Sequence, residues 1–201
     1  MDTNKKTTFS TKELAIIPIF AALTAVLAQI AIPLPFSPVP ISFGLVAVYM
    51  TGILLKPKHA IYAQICYLLL GAVGLPVFGG FKGGLGALVG PTGGYLVVYP
   101  IIAWIVAMAL NSKKSLQAEP SYRKGFIFLK ASIAMVIAHL VLYLGGTIWL
   151  SVSTSNSFMA SLVLAVIPFI PLDIVKIVFC VFAIVPFRSR LRTAGVLMLD
   201  K

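Results

Sequence analysis

The chain has 201 residues, of which 60% are hydrophobic and only 10% charged, and its mean hydropathy is +1.04. Soluble domains average about 45–50% apolar and about 25% charged residues, so this composition excludes a soluble globular domain. The formal net charge of +11 would suggest nucleic-acid binding in a soluble protein, but here the basic residues lie between apolar runs and indicate membrane topology.

Six apolar runs follow one another along the chain, most of them separated by proline, glycine or basic residues and the last two by the polar stretch 151–157. A transmembrane helix needs about 20 mostly apolar residues, and the chain has room for about six such helices with short loops. Residues 1–201 are therefore predicted to form a single domain, an all-α polytopic membrane protein built as a bundle of six transmembrane helices. The predicted spans are Leu14–Ile32, Ile41–Leu55, Ala60–Leu75, Tyr95–Leu110, Phe126–Leu150 and a last run that ends near Phe187.

The last run is interrupted by two prolines. Pro168 and Pro171 follow about ten apolar residues, and proline inside a helix costs about 3 kcal/mol. We expect a short outer helix to end near Ile167 and the sixth span to begin at Pro171, a favourable first-turn residue. Asp173 would then lie in the first turn of that helix, where the helix dipole favours a negative charge.

The basic residues predict the orientation of the bundle. Of the 16 Lys and Arg residues, 14 fall on one side of a six-span alternation, and the other side has only Lys82. The positive-inside rule places both termini in the cytoplasm, in a multi-pass protein of the cell membrane. A removable signal peptide is not expected, because the first apolar run has no obvious small-residue cleavage site. The 14 residues are Lys5, Lys6, Lys12, Lys56, Lys58, Lys113, Lys114, Arg123, Lys124, Lys130, Arg188, Arg190, Arg192 and Lys201.

The predicted membrane interior contains one acid and one base. Asp173 and Lys176 are three residues apart in the last run, so they share one helix face. Each ionised group costs about 2.5–3.5 kcal/mol at the centre of a membrane helix, and such residues are functional candidates by default. The alternative is a mutual ion pair that only fastens the sixth helix to its neighbours.

A glycine-rich stretch precedes the fourth span. Residues 71–95 contain ten glycines, which allow the backbone to approach a ligand closely. The stretch is neither a P-loop, because no Gly-Lys-Ser/Thr follows, nor a Rossmann fingerprint, because no βαβ pattern surrounds it. Gly90, Pro91 and Thr92 begin the fourth span, and a helix start can hold a carboxylate. Close helix packing through Gly90 and Gly94 is the alternative.

Other small or polar residues give weaker indications. Ala21, Ala25 and Ala28 form a small-residue stripe on the first helix, suited equally to internal packing or to docking of a partner subunit. His59 and His139 have no second ligand at i+3 or i+4, so hydrogen-bonded structural roles are expected rather than a metal site.

Two further residue types occur singly within the spans. Gln29 and Gln64 are single polar residues there, and each is expected to face either a ligand pocket or another helix. Cys66 and Cys180 are interpreted as small apolar residues without a disulfide or metal role.

Three segments together resemble the BioY family, the biotin-specific substrate-binding (S) components of energy-coupling factor (ECF) transporters. They are residues 67–78 (YLLLGAVGLPVF), 90–96 (GPTGGYL) and 168–176 (PFIPLDIVK). The resemblance extends in order over nearly the whole chain. It implies a prokaryotic plasma-membrane protein that binds biotin on the outer side and docks to a membrane coupling subunit with two ATP-binding subunits. It further implies that Ala21 and Ala25 belong to the docking motif, that ATP is hydrolysed by the partners, and that the chain has no cofactor.

The resemblance also implies a substrate site. Asp173 would accept ureido N–H groups and Lys176 would donate to the ureido oxygen, while the carboxylate would lie near Lys82, Thr92 or the start of the fourth helix. The candidate substrate-binding residues are Asp173, Lys176, Tyr95, Thr92, Gly90, Lys82, Phe78 and Gln64. Two alternatives remain at this stage. One is a membrane-embedded enzyme that uses Asp173 as an acid or base, although no second acid, metal cluster or activated nucleophile accompanies it, and the other is a solitary transporter or channel.

Overall fold

A computed structural model describes residues 11–112 and 120–193, which are mostly helical. Five of the 14 basic residues that predict the orientation lie outside the described ranges: Lys5, Lys6, Lys113, Lys114 and Lys201. The helices are α1 (Thr11–Gln29), α2 (Gly44–Leu54), α3 (Pro57–Ala72), α4 (Leu85–Val89), α5 (Gly93–Val97), α6 (Tyr99–Leu110), α7 (Pro120–Thr154), α8 (Phe158–Ala165), α9 (Ile170–Phe179) and α10 (Val185–Thr193). Two strands, β1 (Ala31–Leu34) and β2 (Ser37–Ser42), join α1 to α2.

Three helical stretches in the described ranges are long and apolar enough to cross a membrane. Gly93–Leu110, Gly125–Thr154 and Phe158–Arg188 have mean hydropathies of 2.0, 2.1 and 2.4 over an 18-residue window, yet only 44%, 33% and 22% of those windows is buried within the chain. Exposed apolar surface on this scale requires lipid as its solvent. The helical stretches Glu13–Gln29 and Gly44–Leu54 are also apolar but are shorter. The membrane class predicted from composition is therefore confirmed.

A β-hairpin covers one end of the bundle, between the first two apolar runs, where no strand was predicted. Strands β1 and β2 pair antiparallel, with Ala31 opposite Ser42. Prolines remove backbone donors, so these strands cannot join a larger sheet and remain a two-stranded ribbon. The hydroxyl of Ser42 fixes the hairpin, because it donates to the carbonyl of Ala28 (3.3 Å) and accepts from the amide of Gly44 (3.0 Å).

Helix α2 lies at the centre of the bundle, and ten of its residues are buried. Its C-terminal end is tied to α6 and α10 by a buried polar junction. Arg188 donates to the carbonyl of Leu110 (3.0 Å) and to Oδ1 of Asn111 (2.8 Å), and Asn111 donates in turn to the carbonyl of Leu55 (3.1 Å). A cation at two helix C-termini is stabilised by the helix dipoles. This junction fixes the end of the bundle opposite the hairpin.

The break predicted in the last run is present. Helix α8 ends at Ala165, a 3₁₀ turn covers Ile167–Phe169, and α9 begins with Pro171 in its first turn. Asp173 lies in the first turn of α9, as expected, and Lys176 lies one turn further on the same face. The run then continues through a π-helical turn at Cys180–Ile184 into α10.

Two glycines allow aromatic side chains to pack directly against helix backbones. A Cβ at Gly71 of α3 would overlap the ring of Phe78, and a Cβ at Gly146 of α7 would overlap the ring of Tyr95. Because both rings lie against glycine, they are held close to neighbouring helices. This packing sets two aromatic walls of the cleft described next.

Candidate functional site

A cleft with two adjoining chambers lies beneath the hairpin. The chambers enclose about 430 Å³ and about 560 Å³ of space when their open mouths are included. The two chambers share a wall made by strand β2 and by two tyrosine rings, comprising Val39, Pro40, Ser42, Tyr95 and Tyr99. The hairpin, α5 and the start of α6 therefore divide one elongated cleft into two parts.

The first chamber contains the acid–base pair. Lys176 Nζ donates to Oδ1 of Asp173 at 2.9 Å, and the hydroxyl of Tyr143 donates to Oδ2 at 2.8 Å. Asp173 is only 5% exposed and Lys176 only 9%. The pair is therefore nearly desolvated, and each charge has a direct partner. Leu45, Leu142, Ala165 and Phe169 complete the chamber with apolar surface.

A second layer of polar side chains lies behind Asp173. His139 Nε2 lies 3.0 Å from Oδ2 of Asp173, and His139 Nδ1 lies 2.8 Å from the hydroxyl of Tyr49. An ionised carboxylate can only accept, so in the neutral ring Nε2–H donates to Asp173, while Nδ1 accepts from Tyr49. His139 and Tyr143 are four residues apart on α7, which places both on one helix face toward Asp173. The hydrogen bonding expected for His139 is therefore present on both ring nitrogens.

The second chamber is aromatic with a basic mouth. Tyr67 stacks on Tyr99 with 6.2 Å between ring centroids, and Phe78 packs edge-on against Tyr67 at 5.4 Å. Lys82 and Thr92 also line this chamber. Lys82 is exposed, whereas Tyr67 is fully buried and its hydroxyl has no hydrogen-bond partner in the described part of the chain.

A tight turn places Lys82 at the mouth of the second chamber. The backbones of Phe78 and Lys82 exchange two hydrogen bonds of 2.9 and 3.1 Å. Within the turn, Phe81 has a positive φ of 57°, and its amide donates to Oε1 of Gln29 at 2.8 Å. The amide nitrogen of Gln29 donates to the carbonyls of Ala25 (3.0 Å) and Pro76 (3.3 Å). Gln29 therefore fastens the turn to the end of α1.

The predicted site residues fall into two groups. Asp173, Lys176, Tyr95, Thr92, Lys82 and Phe78 line one or both chambers. Gln64 instead lies fully buried between α1, α2 and α3, where its amide donates to the hydroxyls of Thr24 (3.1 Å) and Thr51 (3.0 Å). The carbonyl of Gly90 accepts from the indole N–H of Trp149 at 2.9 Å. Both residues join helices to one another, away from the chamber walls.

The alanine stripe of α1 is mostly used within the chain. Ala21 is 0% exposed and Ala28 only 3%, whereas Ala25 is half-buried. Small residues here let α1 pack closely against its neighbours. Of the two alanines predicted to dock a partner, only Ala25 reaches the surface of the isolated chain.

Five tyrosine or histidine residues at the site were not among the sequence candidates: Tyr49, Tyr67, Tyr99, His139 and Tyr143. Each is a single polar side chain in an apolar run, a pattern that indicates core packing more often than a site. The spacing of His139 and Tyr143 at i and i+4 was the available indication, since it places two hydrogen-bonding side chains on one face of a membrane helix.

The fold and the cleft define a class of protein. Apolar helices with outward-facing lipophilic surface enclose a divided, mostly apolar cleft that contains a few fixed polar groups. Among the described residues, no group of three His, Cys, Asp or Glu side chains could hold a metal ion. This arrangement is that of a membrane-embedded small-molecule-binding protein.

Comparisons with known proteins narrow the class to a family. The model of the BioY family matches residues 2–193, and the chain belongs to that family. It is 34% identical to a probable biotin transporter BioY of Pyrococcus horikoshii, over 82% of this chain and 89% of that protein. It is 31% identical to the biotin transporter BioY2 of Lactococcus lactis, over 88% and 90% of the two chains.

A solved structure has the same fold. The crystal structure of the S-component for biotin from an ECF-type ABC transporter matches with a TM-score of 0.78 and 27% identity, over 94% of this chain and 95% of that chain. Because the relatives are named as transporters and the structural neighbour is a transporter component, this chain is a transport protein and not an enzyme. The family indicates no cofactor.

Proposed function

We propose that this chain binds biotin as the membrane-embedded S component of an ECF-type transporter. The observation that most directly supports this proposal is the divided cleft. It has a buried acid–base pair in one chamber and an exposed lysine at the mouth of the other. Its membership of the BioY family and the names of its relatives support the same ligand.

The two chambers suit the two ends of biotin. The fused ring carries a ureido group with two N–H donors and one carbonyl acceptor, and Asp173 and Lys176 present an acceptor and donors to it. The pentanoate arm would pass the rings of Tyr95 and Tyr99, which both chambers share. Its carboxylate would then reach Lys82 and the hydroxyl of Thr92, which line the second chamber. Apolar walls with a few placed polar groups are typical of such sites.

The proposed topology has six transmembrane helices with both termini in the cytoplasm. The charge distribution supports this orientation, since 14 of the 16 basic residues fall on one side of the alternation. The cleft lies at the hairpin end of the bundle, opposite the Arg188 junction. Biotin would therefore be captured from the extracellular side of the cell membrane.

We also infer that the energy for uptake comes from partner subunits. The structural neighbour is described as a component of an ECF-type ABC transporter, and its fold extends over nearly all of this chain. A membrane coupling subunit and two ATP-binding subunits would then assemble with this chain, and ATP would be hydrolysed on the latter. The surface that includes Ala25 of α1 is the proposed contact with the coupling subunit.

Direct binding of biotin to the purified chain tests the proposal. Native mass spectrometry of the detergent-solubilised protein should show an added mass equal to one biotin, and calorimetric titration should give a saturable isotherm. Lipoic acid is the matched control, because it has the same pentanoate arm but no ureido group. Equal affinity for both acids, or no binding of biotin, would contradict the proposed ligand.

A further inference from the structure

The carboxylate of Asp173 has little free capacity for hydrogen bonds. An ionised carboxylate offers about four acceptor positions on its two oxygens. His139 and Tyr143 both donate to Oδ2, at 3.0 and 2.8 Å, and Lys176 donates to Oδ1 at 2.9 Å. The remaining position is on Oδ1, the oxygen bonded to Lys176.

His139 can hold Oδ2 only in one tautomer. The proton must be on Nε2, and the neutral ring then presents Nδ1 as an acceptor. The hydroxyl of Tyr49 meets Nδ1 at 2.8 Å and donates to it. The carboxylate of Asp173 therefore requires this tautomer of His139, and Tyr49 satisfies and holds the opposite ring nitrogen. Tyr49 is 0% exposed and His139 only 6%, so water does not compete for these bonds.

Neither Tyr49 nor His139 is among the residues that line the two chambers. Both act on a ligand only through Asp173. They come from α2 and α7, whereas Asp173 comes from α9, so the chain of hydrogen bonds also fixes how these three helices meet at the site. A carboxylate held on Oδ2 by two donors cannot rotate to present that oxygen to the cleft.

We propose that Tyr49 and His139 are positioning residues that orient the carboxylate of Asp173. In this orientation only Oδ1 can accept from the ligand, and it accepts from a single N–H. The carbonyl next to that N–H accepts from Lys176. This inference rests on the proposed binding of biotin, and it adds which edge of the ureido ring is recognised. Asp173 would accept from only one ureido N–H, and Lys176 would donate to the adjacent carbonyl oxygen. Ligands that present a cis amide edge, with N–H beside C=O, form the recognised class.

The test uses the full chain in detergent and compares two kinds of ligand. One ligand is biotin, and the others are two cyclic carbamates in which a ring oxygen replaces one or the other ureido N–H. Titrations are made with the unaltered protein and with Tyr49→Phe, His139→Gln, His139→Leu and the double variant Tyr49→Phe/His139→Leu. Thr51→Val is the matched control, because Thr51 also lies on α2 and forms a buried hydrogen bond, but to Gln64 and away from the chambers.

In the unaltered protein, one carbamate should bind more weakly than biotin and the other nearly as well. His139→Leu should weaken the binding of biotin by roughly tenfold or more, which is the scale of a hydrogen bond to a charged group. It should leave the weaker carbamate almost unaffected, because the N–H that Asp173 accepts is already missing. Tyr49→Phe should weaken biotin by a smaller factor, His139→Gln should retain part of the affinity through its amide N–H, and the double variant should match His139→Leu alone.

A merely structural role gives a different pattern. If His139→Leu weakens biotin and both carbamates by the same factor, or if the losses from Tyr49→Phe and His139→Leu multiply, the proposal is overturned. Tyr49→Phe keeps the size of the side chain, so this variant remains informative if His139→Leu does not fold. Thr51→Val should lower the melting temperature without changing the affinity ratios. Failure of the unaltered protein to bind biotin would instead reject the proposed ligand. That outcome is distinguishable from failure of the positioning proposal, because it is seen without any substitution.

Discussion

At the scale of single residues, burial of Asp173 and Lys176 is costly and must be offset. A desolvated ion pair with incomplete hydrogen bonding is no more stabilising than apolar residues of the same size, and breaking it leaves a buried charge without a partner. Here the carboxylate also accepts from His139 and Tyr143, whereas Lys176 donates one hydrogen bond to Asp173. An ammonium has three donors, so Lys176 retains capacity for a ligand.

The first prediction concerns this pair. Asp173→Asn should weaken biotin binding by about 1.5–3 kcal/mol, because a hydrogen bond to a charged group is lost. Lys176→Met should have a similar effect and should also leave Asp173 without its base. Since the two residues are bonded directly, the double variant should lose less than the sum of the single losses. Calorimetric titration of the three variants, with melting temperatures measured without ligand, provides the check.

If Asp173 and Lys176 formed a purely structural ion pair, the substitutions would affect stability and not affinity. The single substitutions would then lower the melting temperature, while the protein that remained folded would bind biotin with nearly unchanged affinity. Unchanged affinity in all three variants would remove Asp173 and Lys176 from the site.

Part of this site could be predicted from sequence because it is local. Asp173 and Lys176 are ionisable residues three positions apart in an apolar run, so helical geometry alone places them on one face. Tyr49 and His139 are 90 residues apart, and His139 and Asp173 are 34 residues apart. Such contacts depend on how α2, α7 and α9 pack together, which periodicity in one sequence does not determine.

At the scale of secondary-structure elements, α1 has two different faces. Ala21 and Ala28 pack against helices of the same chain, whereas Ile19 and Val26 are 61% and 65% exposed. Ala25 lies between these faces and is half-buried. A small residue at such a boundary lets a second helix approach without disturbing the fold. The alanines of the stripe are therefore not equivalent as probes of docking.

The second prediction separates packing from docking on α1. Ala25→Leu should leave biotin affinity within about twofold, a change below 1 kcal/mol, and should reduce both uptake and co-purification of the coupling subunit. Ala21→Leu should instead lower the melting temperature, because overpacking a filled core costs about 1–3 kcal/mol. Ala183→Leu serves as control, since Ala183 is exposed on the last helical run. Normal uptake by Ala25→Leu would contradict docking at this position.

The elements themselves were predictable to different degrees. The break before α9 follows directly from the geometry of Pro168 and Pro171, so its position agrees with the structure. The β-hairpin was not predicted, because Pro33, Pro38 and Pro40 argue against strands in a sheet. A two-stranded ribbon tolerates them, since donors that face outward need no partner strand. Its place over the cleft depends on contacts of Ser42 that no local pattern encodes.

At the scale of the whole molecule, the two ends of the bundle differ in construction. The hairpin end contains the divided cleft with its buried acid–base pair, whereas the other end is closed by Arg188, Asn111 and the C-termini of α2 and α6. A protein that binds a solute from one side of a membrane needs such an asymmetry. The orientation of the asymmetric bundle then decides from which side the ligand enters.

The third prediction fixes that orientation. Helix α7 contains the apolar stretch Gly125–Thr154, and 30 helical residues are about 45 Å long, more than the hydrocarbon thickness of about 30 Å. Ser112 precedes α7 and Asn156 follows it, so the two residues must lie on opposite sides of the membrane. The positive-inside rule places Ser112 in the cytoplasm and Asn156 outside. Single cysteines at these two positions should therefore differ in their reaction with a maleimide that does not cross membranes.

The labelling is made in a background without Cys66 and Cys180, both replaced by alanine, with biotin uptake as the check that the fold is retained. In intact cells, Asn156→Cys should react and Ser112→Cys should not, whereas both should react after the membrane is permeabilised. The reverse pattern would place the cleft on the cytoplasmic side and contradict capture of external biotin. Labelling of both cysteines in intact cells would show that α7 does not span the membrane, because a spanning helix separates its two ends.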